Sequence, residues 1–424
     1  MMGSSWRERV ALNAACVAAV FAFVLGAPDA AFPAVTAGAD ADAGVGIGSE
    51  AAAEPGDAAG PVTLLVNAHV FTAEYGAPYA EAVALRGERI LAVGSLASVE
   101  KAAGASARRI DLGGKFLMPG MIDAHAHPVG SRLVLGGGFT LITANFPDSG
   151  GSIPDLERFV GKTMDEGTSR IGDVIFIGTI DIGYWRHAAE IDAALSSGRF
   201  ANVPIALIGS DGHTAWGNRL LRQRAGITAK YLRGLTPAER AYYGFGREFN
   251  PNGFVVDVGL TRLRQSLPAP SQAFMLSAGE AGVKHLNSLG ITGWLDAAAA
   301  GVVGGDVPLK ADESGPLQVY REMSSRGELT AHVAAYPVIR PASGLAQLDV
   351  VESLRREFSG VPNLTVPGLK VFADGVVEFP SQTAALTQPF RNSGRSSPLL
   401  FDPGKFNALV VEADRRGLIV HIHA

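Results

Sequence analysis

A chain of 424 residues, 47% hydrophobic and 18% charged, has material for a large buried core and one or two domains. Its net charge of -5, with no basic run and no aromatic–basic interleaving, excludes nucleic-acid binding. The only cysteine is Cys16, inside the amino-terminal apolar stretch, so disulfides and thiolate metal sites are excluded from a mature chain.

The chain opens on an export signal. Arg7 and Arg9 make a short basic start, residues 10–26 are apolar and uncharged, and Pro28 followed by small residues ends the run. That run is shorter than the ~20 residues of a comfortable spanning helix. Cleavage is expected near residue 36, leaving a periplasmic or secreted protein with no stable membrane insertion. Residues 37–60, rich in Ala, Gly and Asp and free of aromatics, predict a disordered linker.

Folding is expected from Val62. Leu64-Leu65-Val66, residues 81–85 and residues 89–93 are short β-rich runs, punctuated at Asn67, Gly76-Ala77-Pro78, Arg86-Gly87 and Gly94-Ser95. They predict a small antiparallel sheet, followed by a short helix at 97–103 and a strand at 109–112. Further on, strands at 290–296, 329–339, 369–372 and 418–423 each follow a helical pattern, which predicts a parallel α/β sheet, open or closed. Strand-like runs at 174–178 and 203–208 fall in a stretch too long for one loop and helix. It reads as an insertion at about 139–278 that covers the site.

The apolar run from Phe116 to Ile122 delivers Asp123-Ala124-His125-Ala126-His127. Side chains alternate faces along a strand, so His125 and His127 point the same way, and Asp123 with them. Two imidazoles side by side at the end of a buried strand suit zinc and its neighbours. The competing reading is a histidine pair satisfied by backbone and water. In closed (β/α) barrels the chemistry sits at the carboxyl ends of the strands. Here those ends carry His125 and His127, Asp296, Lys370 and His423.

The motif is followed in order by Asp211-Gly212-His213-Thr214-Ala215-Trp216-Gly217-Asn218, Gly290-Ile291-Thr292, Lys370-Val371-Phe372-Ala373-Asp374-Gly375, Thr383-Ala384-Ala385-Leu386 and His423-Ala424. On these elements the chain from about Val62 onward resembles the amidohydrolase superfamily. Within it, the chain is similar to the YtcJ-like amidohydrolase-3 group, which includes N-substituted formamide deformylases. The resemblance implies a (β/α)8 TIM-barrel metal-dependent hydrolase, with residues 61–114 as the first half of a small β-sandwich and 115–424 as the barrel. It implies one or two divalent ions, zinc expected, held by His125, His127, Lys370 and His423. Lys370 would be carbamylated, because an ammonium offers donors only. Its other reading is a lysine that anchors substrate or pairs with Asp374. His213, Trp216 and Asn218 are implied near the substrate, and a structural role for that segment stays open. Asp123, Asp296, Asp374 and His421 are implied behind the ligands. His69, His187, His285 and His332 are assigned to surface or packing roles. The implied reaction is metal-assisted hydrolysis of a carbon–nitrogen bond other than a peptide bond, in a small amide-like molecule, with release of an amine. An apolar pocket is expected from Trp185, Trp216, Phe372 and Phe379.

Against the same pattern the chain stops at Ala424, and nothing matches strands six to eight or their histidine ligand and proton-shuttle aspartate. An incomplete barrel of about five of eight strands is therefore expected, with an open apolar edge and weak catalysis. The alternatives are a truncated non-catalytic relative, a periplasmic small-molecule binding protein, or a superfamily enzyme acting on an imide, an ester or a ring amine.

Overall fold

The computed structural model describes residues 60–129, 152–268, 271–300, 315–340, 344–379 and 381–424. The expected export signal, nearly all of the expected linker and the first residues of the expected insertion lie outside them. The described residues divide into two compact units, residues 60–67 with Glu81–Gly113, and Ala68–Ala80 with Gly114–Ala424.

Strands β1 (Val62–Phe71), β2 (Tyr79–Ala80), β3 (Ala82–Arg86), β4 (Arg89–Gly94) and β5 (Arg108–Leu117) form one sheet in the order β2-β1-β3-β4, with β5 also on β1. In the first unit β1, β3 and β4 run antiparallel, with Leu64 opposite Ala84 and Val83 opposite Val93. Helix α1 (Leu96–Ala103), capped by the Ser95 hydroxyl, covers a small core of Leu64, Val66, Ala82, Ala84, Val99 and Ala103. Asn67, expected as a turn, stands inside β1 with φ 53° and gives its side-chain amide to Asp111 at 2.8 Å. The strand kinks there instead of ending, since Asn tolerates the left-handed region.

In the second unit, β6 (Met121–Ala126) carries the histidine motif. It is entered so close to its neighbour that a Cβ on Gly120 would lie 2.0 Å from Thr292 Oγ1, so only glycine fits.

Residues 152–268 fold around a sheet of their own. It is built from α2 (Ile153–Glu166), β7 (Arg170–Ile171), β8 (Val174–Ile180), α3 (Ala188–Leu195), β9 (Ile205–Gly209), β10 (Thr214–Gly217), α4 (Arg219–Arg224), α5 (Ala229–Gly234), α6 (Pro237–Arg240), β11 (Tyr243–Phe245), β12 (Pro251–Val256) and α7 (Val258–Arg264). The strand order is β11-β12-β10-β9-β8-β7, with β8 and β9 parallel. Alternate residues of β8 and β9 feed two separate cores. Ile175, Ile177, Ile205 and Leu207 pack with Leu156, Ile191 and Trp216, while Val174, Phe176, Ala206 and Ile208 pack with Leu221, Leu232 and Leu260. Burial on both faces explains the continuous apolar runs of these two strands.

The chain then alternates α8 (Gln272–Ser288), β13 (Ile291–Ala300), α9 (Gly315–Ser325), β14 (His332–Pro337), α10 (Ala346–Glu357), β15 (Leu364–Thr365), β16 (Gly368–Phe372), α11 (Pro403–Arg415) and β17 (Ile419–His423). Strands β15-β14-β13-β6 pair parallel in that order, β16 and β17 form a parallel pair, and a parallel bridge from Val338 to Lys370 links the two sets. The α/β class agrees with the expectation. Helix faces bury Tyr320, Leu348, Leu354 and Leu409 against Trp294, Val333, Leu369 and Val371 of the strands. No helix among the described residues is long and apolar enough to cross a membrane.

Candidate metal centre

The strand ends bring five of the sequence-predicted residues together: His125, His127, Asp296, Lys370 and His421. The rings of His125 and His127 stand edge to face with centres 5.1 Å apart, and His421 meets His125 in the same way at 5.0 Å. Lys370 lies opposite His421 in the β16–β17 register, so both side chains leave the same face. Asp296 is buried on β13, with its Oδ1 3.6 Å from His127 Nδ1. Tyr320 holds that carboxylate, donating to Oδ2 at 2.6 Å, and Trp294 donates to the Tyr320 oxygen at 3.4 Å.

Strict alternation does not survive along β6. Trp294 and Asp296 of β13 pair with Asp123 and Ala126, so three steps of β6 face two of β13. The bulge re-aims the histidines, and Asp123 turns its carboxylate to the backbone N–H of His125 at 3.0 Å.

The electrostatics favour the neutral forms of His125 and His421. Desolvation, then the charges of Lys370, His127, His421 and His423, lower His125 to about 4. His421 is lowered by the same desolvation, with Lys370 and His127 adding to it. Burial lowers the Lys370 amine to about 8. Among the described residues no three His, Cys, Asp or Glu side chains form a finished ligand set. Two buried nitrogens, His127 Nδ1 and Lys370 Nζ, lack a hydrogen-bond partner. Neutral imidazoles beside an orphaned ring nitrogen fit a metal ion. Lys370 fits one only after conversion to a carboxylate-bearing side chain.

The other predicted residues stand elsewhere. His423 lies opposite Phe372, donates from Nε2 to the Gly375 carbonyl at 2.9 Å, and faces His213 with ring centres 6.1 Å apart. Trp216 and Asn218, expected near the substrate, are wholly buried in the sheet of residues 152–268. The Trp216 indole donates to Asn252 O at 2.8 Å. The Asn218 amide caps α4 and serves the backbone of Leu195, Phe200, Val203 and Ile205. A side chain with every polar atom so engaged has none left for a ligand. Asp374 gives one oxygen to the Ala385 N–H at 2.9 Å, and its other oxygen is buried without a partner. His69 and His332 are exposed and His187 is half-buried. Trp185 and Phe379 line a cavity of about 480 Å³ with Ile182, Phe254, Asp181 and Arg186. Sequence reading missed Asp257 altogether. It accepts from His213 Nδ1 at 2.8 Å and from the Thr383 hydroxyl at 2.5 Å. Its only signal was an acidic residue interrupting Val255-Val256 and Val258.

Parallel strands in chain order, with histidines and a lysine at their ends, define an α/β protein of the TIM-barrel type. The chain belongs to the amidohydrolase family, whose sequence pattern matches residues 108–424. Protein LONG AFTER FAR-RED 3 of Arabidopsis thaliana is 24% identical over 85% of this chain and 58% of its own length. Exoenzymes regulatory protein AepA of Pectobacterium carotovorum subsp. carotovorum is 23% identical over 85% of this chain and 73% of its own. An uncharacterized metal-dependent hydrolase from Pyrococcus horikoshii shares the fold at TM-score 0.59 and 18% identity, over 86% of this chain and 65% of that one. The chain thus spans less than two thirds of the Arabidopsis and P. horikoshii proteins.

Proposed function

We propose that this amidohydrolase-family chain belongs to a metal-dependent hydrolase of carbon–nitrogen bonds in small amide-like molecules, N-substituted formamides included. The observation that carries the reading is the meeting of His125, His127 and His421 beside buried, unpartnered Lys370 at the strand ends. In this reading His125, His127, His421 and carbamylated Lys370 hold one or two divalent ions, zinc foremost. His421 takes the place expected for His423, because His421 stands against His125 while His423 spends its Nε2 on Gly375. Carbamylation joins the neutral Lys370 nitrogen to CO2 and releases a proton. A divalent ion bound there supplies an activated water and polarises a carbonyl. Asp296, steadied by Tyr320, places a carboxylate oxygen 3.6 Å from the unpartnered His127 Nδ1, on the side where an ion would sit. The aromatic cavity beside Trp185 and Phe379 suits an apolar substituent of the amide.

Ile122, Ile419 and Ile422 are 72%, 57% and 42% exposed on the end strands β6 and β17. Their exposure supports a barrel wall that further strands cover in the working enzyme. The antiparallel sheet is read as one half of a β-sandwich, and residues 1–36 as an export leader.

The test is zinc binding and amine release from a panel of N-substituted formamides and simple amides, with and without chelator. Chelator-sensitive turnover is expected. His421→Gln is expected to lose bound zinc by roughly 10–100-fold in affinity, and His423→Gln to retain it. Turnover unaffected by chelation refutes the metal reading, and zinc loss only in the His423 variant reverses the ligand assignment.

A further inference from the structure

Three segments far apart in sequence converge on one carboxylate. His213 follows the Asp211-Gly212 turn, Asp257 joins β12 to α7, and Thr383 lies beyond β16. Asp257 holds His213 twice. Its Oδ1 accepts from the ring Nδ1 at 2.8 Å, and its backbone N–H donates to the His213 carbonyl at 2.9 Å. Its Oδ2 accepts from the Thr383 hydroxyl at 2.5 Å. Arg264, half-buried, donates to Gly212 O at 3.3 Å and steadies the turn that presents His213.

The circuit continues to the strand ends. Thr383 Oγ1 accepts from the Val376 N–H at 3.1 Å, and its carbonyl accepts from the Gly375 N–H at 3.2 Å. Gly375 O in turn accepts from His423 Nε2 at 2.9 Å. A Cβ on Gly375 would lie 2.2 Å from Thr383 Oγ1, so only glycine closes this link. The His213 and His423 rings, 6.1 Å apart, thus stand at the two ends of one hydrogen-bonded chain.

Donor and acceptor accounting fixes the proton on Nδ1. An ionised carboxylate only accepts, so the His213 nitrogen that faces it carries a hydrogen. Nε2 is left as the ring's remaining polar atom. The backbone of Asp257, φ 45° and ψ -103°, is outside the regions open to most residues. Such strain persists where the surroundings over-determine it, and it clusters at functional sites.

We propose that Asp257 is the positioning residue of the site: its carboxylate fixes His213 as the Nδ1–H tautomer and presents Nε2 to the substrate beside His423. The word substrate rests on the hydrolase reading; the tautomer and the circuit do not. Asp257→Asn is the informative variant. Asn tolerates positive φ, but its amide puts an NH2 donor where one of the two carboxylate oxygens stood, so it cannot accept at both positions. Asp257→Gly removes the carboxylate and frees the backbone. Thr383→Val cuts the other arm and leaves the His213 bond.

The experiment is nitrogen-15 NMR of the full chain labelled at histidine, with the His213 ring assigned by its loss in His213→Gln. The wild type and Thr383→Val are expected to hold the Nδ1–H form, and Asp257→Asn and Asp257→Gly to lose it. A His213 signature unchanged in both Asp257 variants overturns the proposal. In the zinc-loaded protein kcat/KM is expected to fall at least ~10-fold in Asp257→Asn, with zinc retained. An altered tautomer with kcat/KM unchanged removes the substrate role. A wild type that holds the tautomer as stated but binds no zinc refutes the metal-hydrolase reading and leaves the positioning intact.

Discussion

Lys370 sets the terms at the scale of single residues. Its side chain is wholly buried, its Nζ has no hydrogen-bond partner, and burial lowers the amine to about 8. A buried charge without a partner is costly, and apolar replacements of similar size are often stabilising. Lys370→Met is therefore expected to raise the stability of the metal-free chain by about 1–3 kcal/mol while abolishing metal-dependent turnover. Thermal unfolding without zinc reads the first effect, and intact mass reads the CO2 adduct that the wild type gains in bicarbonate and the variant lacks. A lower unfolding midpoint in Lys370→Met would mean that the ammonium has a structural partner. A gain on Lys370→Met would mark the lysine as a group held at a cost in stability, which is expected of a functional residue.

Elements decide how much of this could be read from sequence. The strands that carry the histidines and Lys370 were legible because each is an apolar run, those of Lys370 and His421 following a helical period, and α8 to α11 were legible from that period. Two things were not. The first is the sheet of residues 152–268, where β10, β11 and β12 hold only four, three and six residues, too few for a period to declare itself. The second is the choice between His421 and His423, which alternation places on one face and only neighbouring strands distinguish. Asp257 belongs here too, since its partners are 44 and 126 residues away. The pairing of β16 with β17 makes an element-level prediction. A Cβ on Gly368 would lie 1.8 Å from the Ile419 carbonyl oxygen, a backbone atom that cannot step aside. Gly368→Ala is expected to cost about 3 kcal/mol or more and to displace Lys370 from His421. An unfolding midpoint within a degree of wild type would show that the strands do not meet at that distance.

For the molecule as a whole, the crowding of basic groups at the strand ends sets the pH dependence of stability. His125, normally 6.5, is lowered to about 4, and His421 is lowered from 6.5. Between those limits the unfolded chain binds protons that the folded chain refuses, so stability falls as pH drops through 6.5 toward 4. Lys370 acts in a second window. The unfolded lysine keeps its proton to 10.5 and the folded one releases it near 8, so stability climbs from about 8 to 10.5. His213 opposes the first trend. Burial lowers it, but the hydrogen bond and charge of Asp257 outweigh that, and its raised value gives stability that is full below 6.5 and lost above. Asp155 and Glu412, lowered to about 2 chiefly by hydrogen bonds from Ser152 and Arg415, give stability that starts to fade only below their ordinary values of 3.8 and 4.5. The region from 5 to 6.5 therefore reports the histidines. Metal binding needs these imidazoles neutral, and protons compete for them as the chain is acidified. Added zinc is expected to raise the unfolding midpoint more at pH 7.5 than at pH 5. Equal gains at both pH values would place the zinc on groups other than His125 and His421.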